Sequence, residues 1–219
     1  MKATYLNKEN NDNLIIFFAG WSFDEKPFIS QNYGKNDIII VYDYNEMELP
    51  KELENIDRYP KKYLLAWSMG VFVAYLNRNF FGDFEKKTAL NGTTYPVDDV
   101  FGIPEKVFKL TLMHAKKGLE GKFYKNLFDN EASYNLYTTS PVGRTIENRV
   151  KELESLDNQI KNTKINYSKF YDNAIISSYD KIIPPQNQIN FCKEFKIPYK
   201  LLDCGHFPFY NNNIWQGLQ

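Results

Sequence analysis

The stretch that most constrains the fold is Lys62-Tyr-Leu-Leu-Ala-Trp-Ser-Met-Gly-Val-Phe-Val-Ala-Tyr-Leu76, where a short apolar run ends at a serine and restarts at once as a longer one. A run of four or five apolar residues bounded by Lys61 and Lys62 predicts a strand covered on both faces. From Met69 onward the apolar residues occupy nearly every face, as in a helix packed deep against a sheet. Ser68 therefore stands on a sharp strand-to-helix corner. Ala66-Trp-Ser-Met-Gly70 matches the nucleophile-elbow pattern G-x-S-x-G with Ala at the first Gly. The spacing has a steric cause, since strand and helix nearly touch two residues either side of the serine and both flanking residues must be small. A serine at a helix start also serves as an N-cap, so the five residues alone leave both readings standing.

Elsewhere, short β-branched and aromatic runs predict strands at Leu14 to Phe18, Asp37 to Tyr42, Tyr63 to Trp67, Lys87 to Asn91, Ala174 to Ser178 and Tyr199 to Leu202. Most lack alternation, which favours parallel strands sandwiched between helices. Helices are predicted over Pro50 to Ile56, Met69 to Phe80, Pro185 to Phe195 and from Tyr210 to the end. Strand alternating with helix marks an α/β fold with a mostly parallel sheet. Between about Thr94 and Asp172 the rhythm stops, and helices are expected at Pro104 to Ala115, Leu119 to Asp129 and Arg144 to Gln159. We read residues 1–219 as one domain and 94–172 as a helical lid inserted between core strands; helices that merely complete the core are the alternative.

Composition supports one good core, with 219 residues, 43% hydrophobic and 16% aromatic. Basic and acidic residues balance at 27 each, so no overall field draws the chain to nucleic acid or an anionic membrane. The first thirteen residues are polar and no apolar stretch approaches membrane-spanning length, which points to a cytoplasmic protein. Cys192 and Cys204 suggest neither a disulfide framework nor a metal site, and are expected to pack in the core.

A serine hydroxyl needs a base to take its proton, and the chain has two histidines. His206 follows the last strand on the Gly-containing loop Leu201-Leu-Asp-Cys-Gly-His-Phe-Pro-Phe209, where a base reaches the C-terminal edge of a parallel sheet; His114 lies in a lid helix and reads as an ordinary helix residue. Asp180, in the loop after Ile175-Ile-Ser-Ser178, is the chosen carboxylate. Asp172 precedes that strand, at its wrong end, and Asp203 borders the histidine loop. The order Ser68, Asp180, His206 is that of α/β-hydrolases. Oxyanion donors are expected at the backbone N–H of Met69, on the helix N-terminus, and of Trp21, in the loop Phe18-Ala-Gly-Trp-Ser-Phe-Asp24 after the first strand. The Trp21 ring is a candidate wall of the acyl pocket or a core residue. No metal or cofactor is called for.

Several segments together resemble one family. Leu14-Ile-Ile-Phe-Phe-Ala-Gly-Trp-Ser-Phe-Asp-Glu-Lys-Pro-Phe28, Tyr42-Asp-Tyr44, Leu64-Leu-Ala-Trp-Ser-Met-Gly70, Ala89-Leu-Asn-Gly-Thr-Thr-Tyr-Pro-Val-Asp-Asp99 with Gly102-Ile-Pro104, and Cys204-Gly-His-Phe-Pro-Phe209 are similar to the BioG-type pimeloyl-acyl carrier protein methyl ester esterases. The likeness runs from the first strand to the last loop. It implies an α/β-hydrolase that frees the carboxylate of pimeloyl-acyl carrier protein methyl ester and releases methanol during biotin synthesis. We expect a monomer. Ser68, His206 and the Trp21 and Met69 amides carry over directly, and Asp180 by its position in the fold. For such a substrate, Lys116, Lys117, Lys122, Lys125, Arg144 and Arg149 form a candidate docking patch for an acidic carrier protein. Among the lid aromatics Phe108, Phe123, Tyr124, Phe128, Tyr134 and Tyr137, Phe128 is our candidate acyl-chain contact. A general carboxylesterase or acyl thioesterase, or a noncatalytic binding protein on the same fold, remains the alternative.

Overall fold

A computed structural model describes residues 1–118, 122–166, 168–210 and 212–218. One sheet of seven strands organises it. In chain order these are β1 (Lys2–Asn7), β2 (Asn13–Phe18), β3 (Asn36–Tyr42), β4 (Lys61–Trp67), β5 (Lys86–Leu90), β6 (Asn173–Ser177) and β7 (Tyr199–Leu202). They lie side by side as β1-β3-β2-β4-β5-β6-β7, all parallel except β1, which pairs antiparallel with β3. Leu14 to Phe18 and Ile38 to Val41 are fully buried, which explains their unbroken apolar runs. The six predicted strands are present, five within one residue at either end, while β4 starts two residues before the expected Tyr63.

The chain leaves β2 to one side for β3 and returns to the other side for β4, so the order of the sheet reverses between β2 and β4. Loops leaving neighbouring strands on opposite sides of such a point open a crevice at the C-terminal edge. The loops after β2 and β4 carry Trp21 and Ser68. The helix α1 (Met69–Leu76) packs against those two strands and is buried almost all round.

Several sequence expectations require correction. The polar N-terminal stretch contains β1, whose Lys-Ala-Thr-Tyr-Leu-Asn is half-exposed on the sheet edge and so lacks a core strand's hydrophobicity. The helix expected over Pro50 to Ile56 is instead two single 3-10 turns, Lys51–Leu53 and Ile56–Arg58. α1 ends at Leu76, four residues early, because the side-chain amide of Asn77 donates to the Val73 carbonyl at 2.9 Å and competes with the backbone ladder. No C-terminal helix forms among the described residues after Tyr210; turns there bury Ile214, Trp215 and Leu218, and Trp215 meets Phe17, Phe28 and Phe209 at 5.1, 6.3 and 5.3 Å.

Between β5 and β6 lie α2 (Glu105–Gly118), α3 (Lys122–Asn126), α4 (Glu131–Thr139) and α5 (Ile146–Asn162), and α6 (Pro185–Glu194) packs on β6. The start of the helix expected at Leu119 falls outside the described residues. α4 was not expected from its weak periodicity; its N-cap is Asn130, whose side chain accepts the Ser133 N–H at 2.9 Å.

Both cysteines are buried and unpaired, and burial pushes the thiol of Cys192 up to about 12 and that of Cys204 up to about 11. Since the thiolate is the reacting form, about one thiol in a thousand or fewer is ionised at pH 8. Ellman's reagent is therefore expected to find no fast thiol on the folded protein and both after denaturation. A fast thiol on folded protein would contradict this packing.

Candidate active site

Ser68 follows the last residue of β4 and precedes the first of α1, with φ 58° and ψ −127°. Those dihedrals lie far from helical values, so the corner is a strained turn and not an ordinary N-cap; its side chain makes no capping bond. Gly70 is where strand and helix touch: a Cβ there would sit 2.3 Å from the Phe18 carbonyl oxygen. Ala66 is buried within the strand without disturbing the turn, so Ala is accommodated where the pattern has its first Gly.

His206 lies on the loop after β7. Its Nε2 is 2.9 Å from Ser68 Oγ and its Nδ1 is 2.7 Å from Asp180 Oδ2. Asp180 stands after β6, and its carboxylate is held on three sides: Oδ1 accepts the N–H groups of Ile182 and Ile183 at 2.8 and 2.9 Å, and Oδ2 accepts Gln188 Nε2 at 2.9 Å. Four contacts to one buried carboxylate fix which oxygen faces the ring. Ser68, His206 and Asp180 are 7%, 1% and 6% exposed, so the chain of bonds is screened from water.

The other candidate groups stand elsewhere. His114 is exposed on α2, with Nδ1 against the Leu110 carbonyl. Asp172 binds the Lys87 N–H and ammonium at the opposite end of the sheet, and Asp203 is exposed.

Sequence reasoning missed the groups that aim the histidine. Its backbone carbonyl accepts both Trp67 Nε1 and Asn91 Nδ2 at 2.9 Å, and Asn91 Oδ1 accepts the Ser177 N–H at 2.7 Å. Gln188, on α6, braces Asp180 from behind. The signal for Asn91 was its place at the end of a strand; nothing in the sequence singled out Gln188.

The loop after β2 runs against Ser68. A Cβ at Gly20 would lie 3.1 Å from Ser68 Cβ, so the close approach depends on that glycine. Among the described residues no hydrogen bond occupies the backbone N–H of Trp21 or of Met69; Met69 directly follows the serine, and Trp21 directly follows the glycine that approaches it. A cavity of about 170 Å³ opens here, walled by Trp21, Ile103, Val107, Phe108, Phe123 and Leu127 and floored by Ser68 and His206. The Trp21 ring thus lines the cavity, and its Nε1 donates to the Arg149 carbonyl at 2.7 Å.

Two expected substrate contacts are displaced. Phe128 is buried but does not line this cavity; it packs among Tyr134, Tyr137, Phe207 and Tyr210, because it faces the aromatic core beneath the loop of His206. Arg144 is not a surface cation: its side chain is 7% exposed and sits between Asp43 at 3.1 Å and Glu152 at 2.8 Å. Burial between two carboxylates commits its charge to the interior. Arg149 is also buried, whereas Lys116, Lys117, Lys122 and Lys125 are exposed. Among the described residues there is no cluster of three or more His, Cys, Asp or Glu fit to hold a metal ion, and no helix long and apolar enough to cross a membrane.

The family described as "Pimeloyl-ACP methyl esterase BioG" matches residues 1–218. The crystal structure of BioG from Haemophilus influenzae superposes with a TM-score of 0.88 at 31% identity, over 100% of this chain and 99% of that one. A protein of Bacteroides fragilis named malonyl-[acyl-carrier protein] O-methyltransferase is 30% identical over 88% of this chain, which spans only 39% of that longer relative. An esterase from Exiguobacterium antarcticum shares the fold, with a TM-score of 0.62 at 13% identity over 95% of this chain and 89% of its own. The fold is that of the α/β-hydrolase esterases.

Proposed function

The chain belongs to the BioG family of pimeloyl-ACP methyl esterases, and from that premise we propose that it is a serine esterase that hydrolyses the methyl ester of pimeloyl-acyl carrier protein, with Ser68, His206 and Asp180 as its triad. The observation that carries the reading is the unbroken bond chain from Ser68 Oγ through His206 to Asp180, built on a strained elbow beside two unengaged amides.

His206 Nε2 takes the hydroxyl proton as Ser68 Oγ attacks the ester carbonyl. The Trp21 and Met69 amides stabilise the oxyanion, the second from a helix N-terminus whose dipole favours negative charge. The Asp180 carboxylate holds the Nδ1–H tautomer and stabilises the imidazolium. Collapse of the intermediate breaks the ester C–O bond, and His206 protonates the leaving methoxide to methanol. A water, deprotonated by His206, then attacks the acyl-serine, and the pimeloyl carboxylate departs still attached to its carrier. No cofactor or metal enters these steps.

In this reading the helices between β5 and β6 act as a lid over the cavity, and the apolar wall suits an acyl chain. Lys116, Lys117 and Lys122 offer exposed cations for an acidic carrier protein. The name of the B. fragilis relative refers to methyl transfer onto a carrier-borne acid, the class of reaction that supplies such an ester. The enzyme is read as a cytoplasmic monomer.

The test follows purified pimeloyl-acyl carrier protein methyl ester by intact-mass spectrometry. Loss of one methyl group, with the acyl chain still on the carrier and methanol released, is the expected result. Release of the whole acyl chain would make the protein a thioesterase. Cleavage of simple esters only would make it a general carboxylesterase, and no turnover together with no labelling by a fluorophosphonate would leave a binding protein.

A further inference from the structure

Among the described residues, the hydrogen bonds that anchor Trp21 and Ser22, at the tip of the proposed oxyanion loop, come from α3 and α5, and the central one is to a buried carboxylate. Glu152, on α5, is fully buried. Its Oε2 accepts the backbone N–H of Ser22 at 2.9 Å and Arg144 Nη1 at 2.8 Å, while Oε1 accepts the N–H of Tyr44 at 2.9 Å. Ser22 immediately follows Trp21 and has φ 74°, a left-handed conformation that a serine holds only when its surroundings enforce it. One turn earlier on α5, the Arg149 carbonyl accepts Trp21 Nε1, and Tyr124 OH donates to Ser22 Oγ at 3.0 Å while accepting Arg149 Nη1 at 2.6 Å.

We propose that Glu152 is a positioning residue for ester hydrolysis, holding the peptide after Trp21 so that the Trp21 N–H stays aimed at the oxyanion. This rests on the esterase reading above. The Gly20–Trp21 peptide bears the donor, and its carbonyl accepts the Phe23 N–H at 3.3 Å, which turns the Trp21 N–H the other way. The next peptide, Trp21–Ser22, is oriented by Glu152. Two successive peptide planes are thereby set, which is what preorganisation of a backbone donor requires. An ionised acceptor serves better than a neutral one because it holds two amides and a guanidinium at once. Burial pushes the Glu152 carboxyl pKa upward, opposed by the Arg144 guanidinium and the Tyr44 and Ser22 amides. A buried carboxylate is costly, and an apolar residue here would leave two amides without acceptors. α5 is consequently part of the catalytic frame at this point, and opening that moved Glu152 would disassemble the loop.

Glu152→Gln presents one oxygen where two are needed and turns an N–H₂ toward an N–H donor. Glu152→Asp keeps the charge but is one methylene too short to reach both amides. With p-nitrophenyl butyrate, each is expected to lower kcat by about ten- to a hundredfold with KM within about twofold. The Ki of a trifluoromethyl ketone, which mimics the oxyanion, is expected to rise by the same factor as kcat/KM falls. Asp43→Asn, which breaks the Arg144 ion pair from its far side and leaves Glu152 in place, is expected to keep kcat within about twofold despite a lower melting temperature. A folded E152Q with wild-type kcat and Ki would overturn the assignment, as would D43N losing as much kcat as E152Q; if E152Q does not fold, E152D decides by the same criteria. Wild-type protein that hydrolyses no ester would sink the esterase reading and this inference with it, whereas an active wild type beside an equally active variant sinks only the role of Glu152.

Discussion

Ser68→Ala is expected to lower kcat for p-nitrophenyl butyrate by about a millionfold, to the floor of the assay, with the fold intact. The residual rate above water would come from the Trp21 and Met69 amides and from substrate binding, which do not need the hydroxyl. Structure is expected to survive because the Ser68 side chain caps no helix, and its interaction given up is the one with His206. The alanine must still adopt φ 58°, a strain already present in the native corner. Kinetics with circular dichroism and a melting curve check both halves, and a folded S68A protein within tenfold of wild type would remove Ser68 from the mechanism.

Asp180→Asn is expected to cost about ten-thousandfold in kcat with little effect on KM. The asparagine carbonyl can still accept the Ile182 and Ile183 N–H groups, so the loop should hold. Its amide nitrogen must then occupy the Oδ2 position, facing both His206 Nδ1 and Gln188 Nε2. Gln188 Nε2 can only donate, so the two amide groups oppose each other. His206 Nδ1 is driven to accept, which places the ring proton on Nε2, against Ser68 Oγ, where a base is required. The loss therefore arises from the wrong tautomer and not from a lost contact. A D180N protein within tenfold of wild type would transfer the acid's role to another group; Asp172 and Asp203 both lie outside hydrogen-bonding contact with the ring.

The positions of Ser68, His206 and Asp180 were legible because each sits where a strand stops, and strand ends are visible as breaks in a hydrophobic run. The same logic found the Trp21 loop. It failed for Arg144, which reads like any helix-start cation but is buried between Asp43, 101 residues away, and Glu152. It failed for Phe128, since an aromatic residue in a helical segment looks alike whether it faces a cavity or the core. β1 was passed over because an edge strand is half-exposed and needs little apolar content, and α4 because its hydrophobic pattern is weak and its start rests on the Asn130 cap.

What the sequence by itself determined is therefore local and periodic: the order of the core strands and the longer helices, the sharp corner at Ser68, and the placing of Asp180 and His206 after later strands. Those follow from near-neighbour sterics and from hydrophobic runs a few residues long. Only the tertiary structure decided which side chains meet across long separations, such as His206 with Ser68 across 138 residues and Glu152 with Ser22 across 130. A hydrogen bond or ion pair forms where loops from different strands converge, and that convergence is set by the order of the sheet, which no window of sequence contains.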